Sequence, residues 1–245
     1  LEAGVSEPTV NRFCRSLETR GFPDFKLHLA QSLAHGTLYV NRNVDEDDSV
    51  ESYTGKIFES AMASLDQVHH SLDMSAINRA VDLLTQAKKI AFFGLGSSAA
   101  VAHDAMNKFF RFNVPVIYSD DIVLQRMSCM NCNDDDVVVI ISHTGRTKSL
   151  VELAQLAREN DAMVIAITSP GTPLSRESTL AITLDVPEDT DIYMPMVSRL
   201  AQLTVIDVLA TGFTLRRGAK FRDNLKRVKE ALKESRFDKE LSLHS

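Results

Sequence analysis

Short apolar segments recur through the middle of the chain, and longer segments with helical periodicity separate them. The apolar segments are rich in Val and Ile and almost continuously hydrophobic, as strands buried on both faces of a parallel sheet are. They lie at Lys89–Phe93, Val114–Ser119, Val137–Ser142, Met163–Thr168 and Ala181–Val186. Helices are predicted at about 52–72, 75–87, 98–112, 121–131, 147–160, 172–178 and 194–214. This alternation predicts an α/β fold with a doubly wound, parallel, five-stranded sheet.

The first part of the chain lacks this alternation and predicts a small all-α piece. Ser6 is a suitable N-cap, and Pro8 follows in the first helical turn, where its missing N–H costs nothing. The turn Ala3-Gly4-Val5 before this helix is typical of a helix-turn-helix motif. An ordinary capped amphipathic helix explains the same cap equally well.

In a helix-turn-helix motif, the first residues of the second helix meet base edges in the major groove. Asn and Arg side chains make bidentate contacts to adenine and guanine, and Arg also holds phosphates. The candidate DNA-binding residues are therefore Ser6, Glu7, Thr9, Asn11, Arg12 and Arg15.

Charge is distributed unevenly along the chain. The 27 Lys and Arg against 33 Asp and Glu give a net charge of −6, which argues against a protein coated in positive charge. The stretch 41–51 (NRNVDEDDSVE) carries five carboxylates and is interpreted as a solvated linker. Residues 216–240 hold ten basic and five acidic residues and predict an amphipathic helix. The mean composition therefore hides an acidic linker and a basic C-terminal part.

Two loops rich in glycine and hydroxyl residues follow the first and third predicted strands. The first is Gly94–Ala100 (GLGSSAA), and the second is Ser142–Lys148 (SHTGRTK). Ligands of open α/β sheets bind at the carboxyl ends of the strands, and backbone N–H groups at a helix N-terminus attract anions. Two such loops on neighbouring strands are suited to one phosphate and the near end of a sugar chain.

A dinucleotide site is the alternative interpretation of the first loop. Gly94, Gly96 and Ala99 match the relaxed glycine fingerprint, and Asp120 or Asp121 follows the next strand, where a ribose-binding acid belongs. The second loop counts against this interpretation, because a dinucleotide fold needs no Ser/Thr-rich turn after its third strand. A Walker loop is excluded, since the chain contains no GxxxxGK[ST].

These motifs resemble a known family of bacterial regulators. Residues 1–33 resemble the DNA-reading domain of RpiR-type transcriptional regulators, and residues 52–215 resemble the SIS (sugar isomerase) domain, a flavodoxin-like αβα sandwich. The resemblance implies a partial helix-turn-helix domain at 1–36, an acidic linker at 37–51 and a phosphosugar-binding sensor at 52–245. It also implies further helices upstream, so we expect an N-terminally truncated DNA-binding domain.

The SIS resemblance assigns the effector site position by position. Ser97 and Ser98 match a first loop of the type GLGSS. A second loop of the type SxSGxT is matched at Ser142, Thr144, Gly145 and Thr147, with Thr144 in place of the commoner serine. Arg146 and Lys148 depart from that type and suit a second anionic group such as a carboxylate, although a solvated helix start explains them equally well. The candidate effector-binding residues are Gly96, Ser97, Ser98, Ser142, His143, Thr144, Gly145, Arg146, Thr147 and Lys148.

The SIS resemblance leaves an enzyme and a sensor open. A phosphosugar aldose–ketose isomerase needs a base, for which the candidates are Glu188, Asp189, Asp191, His103 and His143. An isomerase has no use for a helix-turn-helix, whereas a regulator explains both halves of the chain. We therefore predict a repressor of sugar-catabolism genes without enzymatic activity. Its effector, which the resemblance implies, is a phosphorylated sugar acid such as 2-keto-3-deoxy-6-phosphogluconate.

The partners follow from this function. A two-fold DNA reader requires at least a homodimer, with operator DNA as its target in the full-length protein. The pair Cys129 and Cys132 lacks two further ligands at metal-site spacing and is interpreted as packing. We expect no cofactor, no metal and no membrane contact. With three cysteines and no apolar run near the roughly 18 residues of a membrane span, the expected compartment is the cytoplasm.

Overall fold

The structure is a computed structural model that describes residues 7–17, 19–26, 43–190 and 194–232. The chain divides into two compact units, one of residues 1–60 with 191–194 and one of residues 61–190 with 195–245. Each unit is described by itself below.

The first unit contains the helix predicted at the start of the chain. This helix, α1, spans Glu7–Ser16, and residues 22–26 are helical as well. Cys14 is fully buried, and the rings of Phe13 and Phe25 meet edge to face with their centroids 5.9 Å apart. Helix α1 therefore contacts the residues that follow it through the Phe13 ring, although 56% of Phe13 stays exposed.

Two carboxylates of the predicted acidic linker are paired rather than solvated. The ammonium nitrogen of Lys56 lies 2.6 Å from Asp48 Oδ2 and 2.9 Å from Asp45 Oδ2. Hydrogen bonds from Lys56, Ser52 and the Asp45 backbone N–H lower the pKa of Asp48 to about 2. Lys56 thus fixes the part of the linker nearest the next helix, while residues 37–42 lie outside the described residues.

The second unit contains the parallel five-stranded sheet that the sequence predicts. Its strands are β1 (Lys89–Gly94), β2 (Val116–Ser119), β3 (Asp136–Ser142), β4 (Met163–Thr168) and β5 (Leu180–Thr183). They are ordered β2-β1-β3-β4-β5, and every neighbouring pair is parallel. The direction of winding changes between β1 and β3, and doubly wound sheets bind their ligands at such a point.

Helices cover both faces of this sheet. In chain order, the helices after α1 are α2 (Val50–Ser71), α3 (Met74–Gln86), α4 (Ser97–Phe109), α5 (Ile122–Met130), α6 (Lys148–Glu159), α7 (Pro173–Glu177) and α8 (Val197–Ala231). The boundary between the two units falls within α2. None of the helices in the described part of the chain is long and apolar enough to cross a membrane.

Adjacent strand residues supply the two separate cores. Phe92 and Ile141 belong to the core formed with α3, α4 and α8, whereas Phe93 and Ile140 belong to the core formed with α6. All seven residues of β3 are buried, whereas β2 at one edge is only half-buried. The continuous apolar runs of the central strands therefore reflect burial on both faces.

The last helix is divided by a kink close to the boundary between two predicted helices. Separate helices were predicted at 194–214 and 216–240, and α8 has two helical parts that meet three residues beyond the predicted boundary. The break between them is a kink at Gly218, whose φ of 78° and ψ of −166° lie outside the helical region. Glycine adopts this conformation without the clash that a Cβ would cause. Beyond the kink, the Phe221 ring packs on Phe112, with the centroids 5.7 Å apart.

Candidate functional site

The two predicted loops lie side by side at the carboxyl edge of the sheet. Because Gly94 at the end of β1 pairs with Ile141 of β3, the two loops leave strands that are about 4.8 Å apart. The first loop leads directly into α4, and the second leads into α6. The structure thus brings together the loop segments that carry the candidate effector-binding residues.

Two glycines shape the first loop for different reasons. Gly96 has a φ of 56°, with open space where a side chain would be, so only its backbone conformation requires glycine. At Gly94 a Cβ would lie 2.6 Å from the carbonyl oxygen of Ser98, because the first turn of α4 packs against the end of β1. Ser98 is buried and Ser97 half-buried in this turn.

The second loop is seated on the connection between β4 and α7. Gly145 also has a φ of 56°, but a Cβ there would lie 2.3 Å from Thr172 Oγ1 and 2.5 Å from Thr168 Oγ1. These two hydroxyl oxygens are 3.2 Å apart, and the Leu174 N–H donates to the Gly145 carbonyl oxygen at 3.1 Å. The sequence singles out Gly145, but it gives no signal for Thr168 and Thr172 as its support.

Helices α4 and α6 begin without a capping side chain. Gly96 precedes α4 and has no side chain, and Thr147 at the N-cap of α6 makes no capping hydrogen bond. The N–H groups of Ser97, Lys148 and Ser149 have no hydrogen-bond partner among the residues that the structure describes. Together with the helix dipoles, these groups form two neighbouring sites suited to an anion.

The other helix starts at this edge are filled by side chains of the protein. Asp121 Oδ1 accepts hydrogen bonds from the Val123 and Leu124 N–H groups at 2.8 and 2.9 Å, at the start of α5. Thr172 Oγ1 accepts one from the Ser175 N–H at 3.2 Å, at the start of α7. Asp121 is thus a capping residue here, and this use of its carboxylate weakens the dinucleotide interpretation, in which it would bind a ribose.

The remaining polar residues of the second loop differ in exposure. Ser142 is buried, Thr144 and Thr147 are half-buried, and Arg146 and Lys148 are exposed. Thr144 Oγ1 accepts a hydrogen bond from the Arg146 N–H at 3.4 Å, which closes a short turn within the loop. The hydroxyls therefore lie deeper than the two charges, as a ligand with one buried and one exposed anionic end would require.

The His143 ring connects the second loop to residues that follow β4 and β5. Its Nε2 lies 3.2 Å from the carbonyl oxygen of Glu188, and its Nδ1 lies 3.5 Å from Ser169 Oγ. Since a carbonyl oxygen can only accept, Nε2 carries the proton and Nδ1 accepts from the serine hydroxyl. Both ring nitrogens of this candidate effector-binding residue therefore have partners within the protein.

Glu188 caps α8 rather than standing free as a base. Its carboxylate accepts hydrogen bonds from the Met196, Val197 and Ser198 N–H groups at 2.7, 2.8 and 3.1 Å, and one from the Ser198 hydroxyl. Burial raises the pKa of Glu188, but these hydrogen bonds outweigh it, so the pKa lies below its ordinary value. A base for isomerisation works best with a raised pKa, so this arrangement is unsuited to that reaction.

The other candidate bases are no better placed. His103 is exposed and stacks on Tyr118 with the ring centroids 4.9 Å apart. Asp189 is exposed, and Asp191 lies outside the described residues.

Gln125 of α5 is a buried support that sequence reasoning missed. It is fully buried, and its amide nitrogen donates to the Ser119 carbonyl oxygen at 2.7 Å and to the Gly94 carbonyl oxygen at 3.4 Å. It therefore ties the ends of β2 and β1 together directly beside the first loop. No signal in the sequence separates it from an ordinary polar helix residue.

The two cysteines of the CxxC pair, Cys129 and Cys132, are thiols that resist deprotonation. Burial raises the pKa of Cys129 to about 12 and also raises that of Cys132. The Cys132 thiol donates to the Ser128 carbonyl oxygen at 3.2 Å. Because the thiolate is the metal ligand and the nucleophile, thiols that resist deprotonation fit the packing interpretation.

Comparisons with known proteins bear on both units. Residues 83–212 match the SIS domain, and residues 1–36 match the helix-turn-helix domain of the rpiR family. The chain belongs to the RpiR family of transcriptional regulators. It is 92% identical over 98% of its length to the transcriptional regulator HexR of Escherichia coli (strain K12), of which it covers 83%. It is 57% identical over 96% of its length to HexR of Pseudomonas aeruginosa, of which it covers 82%.

Solved structures share this fold. The Vibrio vulnificus NanR protein complexed with ManNAc-6P superposes with a TM-score of 0.70 at 25% identity, over 96% of this chain and 83% of NanR. The sugar isomerase domain of an RpiR transcription factor from Sphaerobacter thermophilus gives a TM-score of 0.63 at 17% identity, over 72% of this chain and 98% of that one.

Helix α1 lies within the part of the chain that matches the rpiR helix-turn-helix domain, and it carries five of the six candidate DNA-binding residues. Thr9, Arg12 and Arg15 are exposed along it, and an Arg12 guanidinium nitrogen lies 3.4 Å from Thr9 Oγ1. Ser6, the turn before it and the side chains of Glu7 and Asn11 lie outside the described residues. Three of the six candidate DNA-binding side chains are thus described, and all three are exposed.

Proposed function

We propose that this regulator represses sugar-catabolism genes and that its SIS domain binds a phosphorylated sugar acid such as 2-keto-3-deoxy-6-phosphogluconate. The observation that carries the proposal is the pair of uncapped helix starts on the neighbouring strands β1 and β3. The proposed division of the chain is a DNA-reading part at 1–36, a linker at 37–51 and the sensor at 52–245.

Phosphate fits this pair of helix starts better than a single carboxylate does. A phosphate has three terminal oxygens, which can accept from the N–H groups of Ser97, Lys148 and Ser149 together. The hydroxyls of Ser98 and Thr147 lie in the same two turns and add donors without bulk. Arg146 and Lys148 are then left for the carboxylate at the other end of the ligand.

Named relatives support the same class of ligand. NanR was solved with ManNAc-6P, a sugar that carries a phosphate, and 96% of this chain aligns with 83% of that protein. The E. coli and P. aeruginosa relatives are transcriptional regulators by name, which favours a sensor over an isomerase. The use of Glu188 as a helix cap supports the same choice.

The effector makes the regulator release its operator only if it binds the DNA-free conformation of the regulator more tightly than the DNA-bound conformation.

We propose that the working unit is a homodimer in the cytoplasm, because a two-fold reader places one α1 in each half-site. A groove of about 780 Å³ between α3 and α8, lined by Ile77, Val81, Val208 and Leu215, is our candidate for the contact with a second copy.

The test is a gel shift of the full-length protein on operator DNA with and without 2-keto-3-deoxy-6-phosphogluconate. We expect the sugar acid to weaken DNA binding, and we expect Ser98→Ala and Ser142→Ala to remove this response while binding DNA normally. Tighter DNA binding in the presence of the ligand would contradict the proposed direction of control. Calorimetry that finds wild-type ligand affinity in both variants would contradict the site.

A further inference from the structure

A cluster of three potential metal ligands lies near the end of α2, within the second unit. Asp66, His69 and His70 are all exposed, and one ligand atom from each lies within 4.8 Å of the other two. Residues three and four apart on a helix are neighbours on its surface, so one turn of α2 presents all three side chains together. Neither the effector site nor the DNA-reading helix uses these residues.

We propose that Asp66, His69 and His70 bind one divalent transition-metal ion of the zinc class, with water completing the coordination. Imidazole nitrogens and a carboxylate oxygen are the ligands that Zn²⁺ takes at about 2.0–2.2 Å. A tetrahedral ion at that distance separates its ligands by about 3.4 Å. The three side chains lie close enough for one ion, and exposed side chains reach that geometry by rotations of their χ angles.

One histidine of the cluster has its tautomer fixed by the backbone of α2. His70 Nδ1 lies 2.8 Å from the carbonyl oxygen of Asp66, so Nδ1 carries the proton and donates to it. Nε2 is then the ligand atom, and because Nδ1 also lies 3.4 Å from Asp66 Oδ1, the exposed ring turns about its χ angles to bring Nε2 to the ion. Histidines that bind metals usually donate their other N–H to a backbone carbonyl or a carboxylate in this way, which fixes the ring and its tautomer.

The local charge also favours a cation. Residues 57–78 include Glu59, Asp66 and Asp73 but no Lys or Arg. His69 and His70 lie in the last turn of α2, where the helix dipole places partial negative charge. The cluster therefore combines suitable ligands with a field that attracts a positive ion.

The test is calorimetric titration of Zn²⁺ into the metal-free full chain under reducing conditions at neutral pH. We expect one site per chain with a dissociation constant on the order of micromolar, as for an exposed site with three protein ligands. His69→Gln and His70→Gln should each weaken binding by about tenfold or more, because each removes one of three ligands. His103→Gln, which alters an exposed histidine on α4, is the matched control and should bind as the wild type does.

Substitution with Co²⁺ separates this site from the cysteine pair. We expect a visible spectrum of nitrogen and oxygen ligation that is lost in the His69→Gln/His70→Gln double variant. Circular dichroism checks that this variant is folded. A thiolate-to-cobalt charge-transfer band, or a double variant that binds Zn²⁺ as tightly as the wild type, would overturn the proposal. A wild-type chain without a micromolar site would overturn it as well.

Discussion

The helix starts at the carboxyl edge of the sheet fall into two pairs. After β2 and β4, the side chains of Asp121 and Thr172 accept hydrogen bonds from the first-turn N–H groups of α5 and α7. After β1 and β3, Gly96 and Thr147 leave the starts of α4 and α6 without such a cap.

This difference shows which helices keep first-turn N–H groups available for a ligand. A helix leaves its first four N–H groups without partners inside the helix, and a capping side chain costs little to supply. The two starts without a capping side chain are also the two that flank the switch point of the sheet. We therefore attribute the missing caps to ligand binding rather than to poor helix design.

The largest expected effect comes from giving α6 the cap that α5 has. In Thr147→Asp, a carboxylate should accept from the first-turn N–H groups and repel a phosphate. We expect the affinity for 2-keto-3-deoxy-6-phosphogluconate to fall at least about a hundredfold, since like charges about 4 Å apart in a protein repel strongly. Thermal stability should not fall. Calorimetry measures the affinity, and Thr147→Ser, which keeps the hydroxyl, should bind normally.

The two loop glycines with the same φ should respond differently to alanine. Gly96→Ala places a Cβ in open space, so it costs only the left-handed conformation, about 1–2 kcal/mol. Gly145→Ala adds the collision with Thr172 and Thr168, and we expect about 3 kcal/mol or more in total. Urea denaturation of both variants measures these losses. Equal losses would contradict the close seating of the second loop on these threonines.

The start of α8 is capped by the carboxylate of Glu188, eight to ten residues before the N–H groups that it accepts from. Glu188→Gln keeps the shape of the cap on α8 but removes its charge, and we expect a loss of about 1–2 kcal/mol, as for hydrogen bonds to charged groups. The pKa of Glu188 is lowered in the folded state. The stabilisation by its charge is therefore complete above about pH 4.3, the ordinary value, and is lost as pH falls through the lower folded-state pKa.

Urea denaturation of the wild type and of Glu188→Gln at several pH values measures this contribution. The two unfolding free energies should differ at neutral pH and converge in acid. A difference that stays constant down to the lowest pH at which both proteins fold would contradict the role of an ionised cap.

The smallest effect is expected at the filled start of α5. Asp121→Ala removes a cap and should lower the unfolding free energy by about 1 kcal/mol. The affinity for the sugar acid should be unchanged, because this helix start holds no part of the ligand. A loss of affinity comparable to that of Thr147→Asp would contradict the division into filled and open starts.

Local patterns explain why the framework of this site could be predicted. The central strands are apolar on both faces, and the loops after β1 and β3 are short runs of Gly, Ser and Thr. Strand order and loop position then follow from general rules for parallel sheets.

The supports of the site depend on contacts between residues far apart in sequence. Gly145 packs closely against Thr172, His143 donates a hydrogen bond to the Glu188 carbonyl oxygen, and Gln125 donates one to the Gly94 carbonyl oxygen. In each pair, 26 residues or more separate the partners along the chain. No periodicity links such pairs, so the sequence alone could not predict them. Glu188 was considered as a base because no pattern in the sequence indicates that its carboxylate caps the start of α8, eight to ten residues later. The kink of α8 lies at Gly218, three residues beyond the boundary predicted between its two helical parts.

The most direct test of the open helix starts is an amide NMR titration of the full chain with 2-keto-3-deoxy-6-phosphogluconate. The account predicts large shifts for the N–H resonances of Ser97, Lys148 and Ser149. Those of Val123 and Leu124, which Asp121 already occupies, should move little. Shifts confined to α5, or binding that leaves Ser97, Lys148 and Ser149 unmoved, would contradict the account.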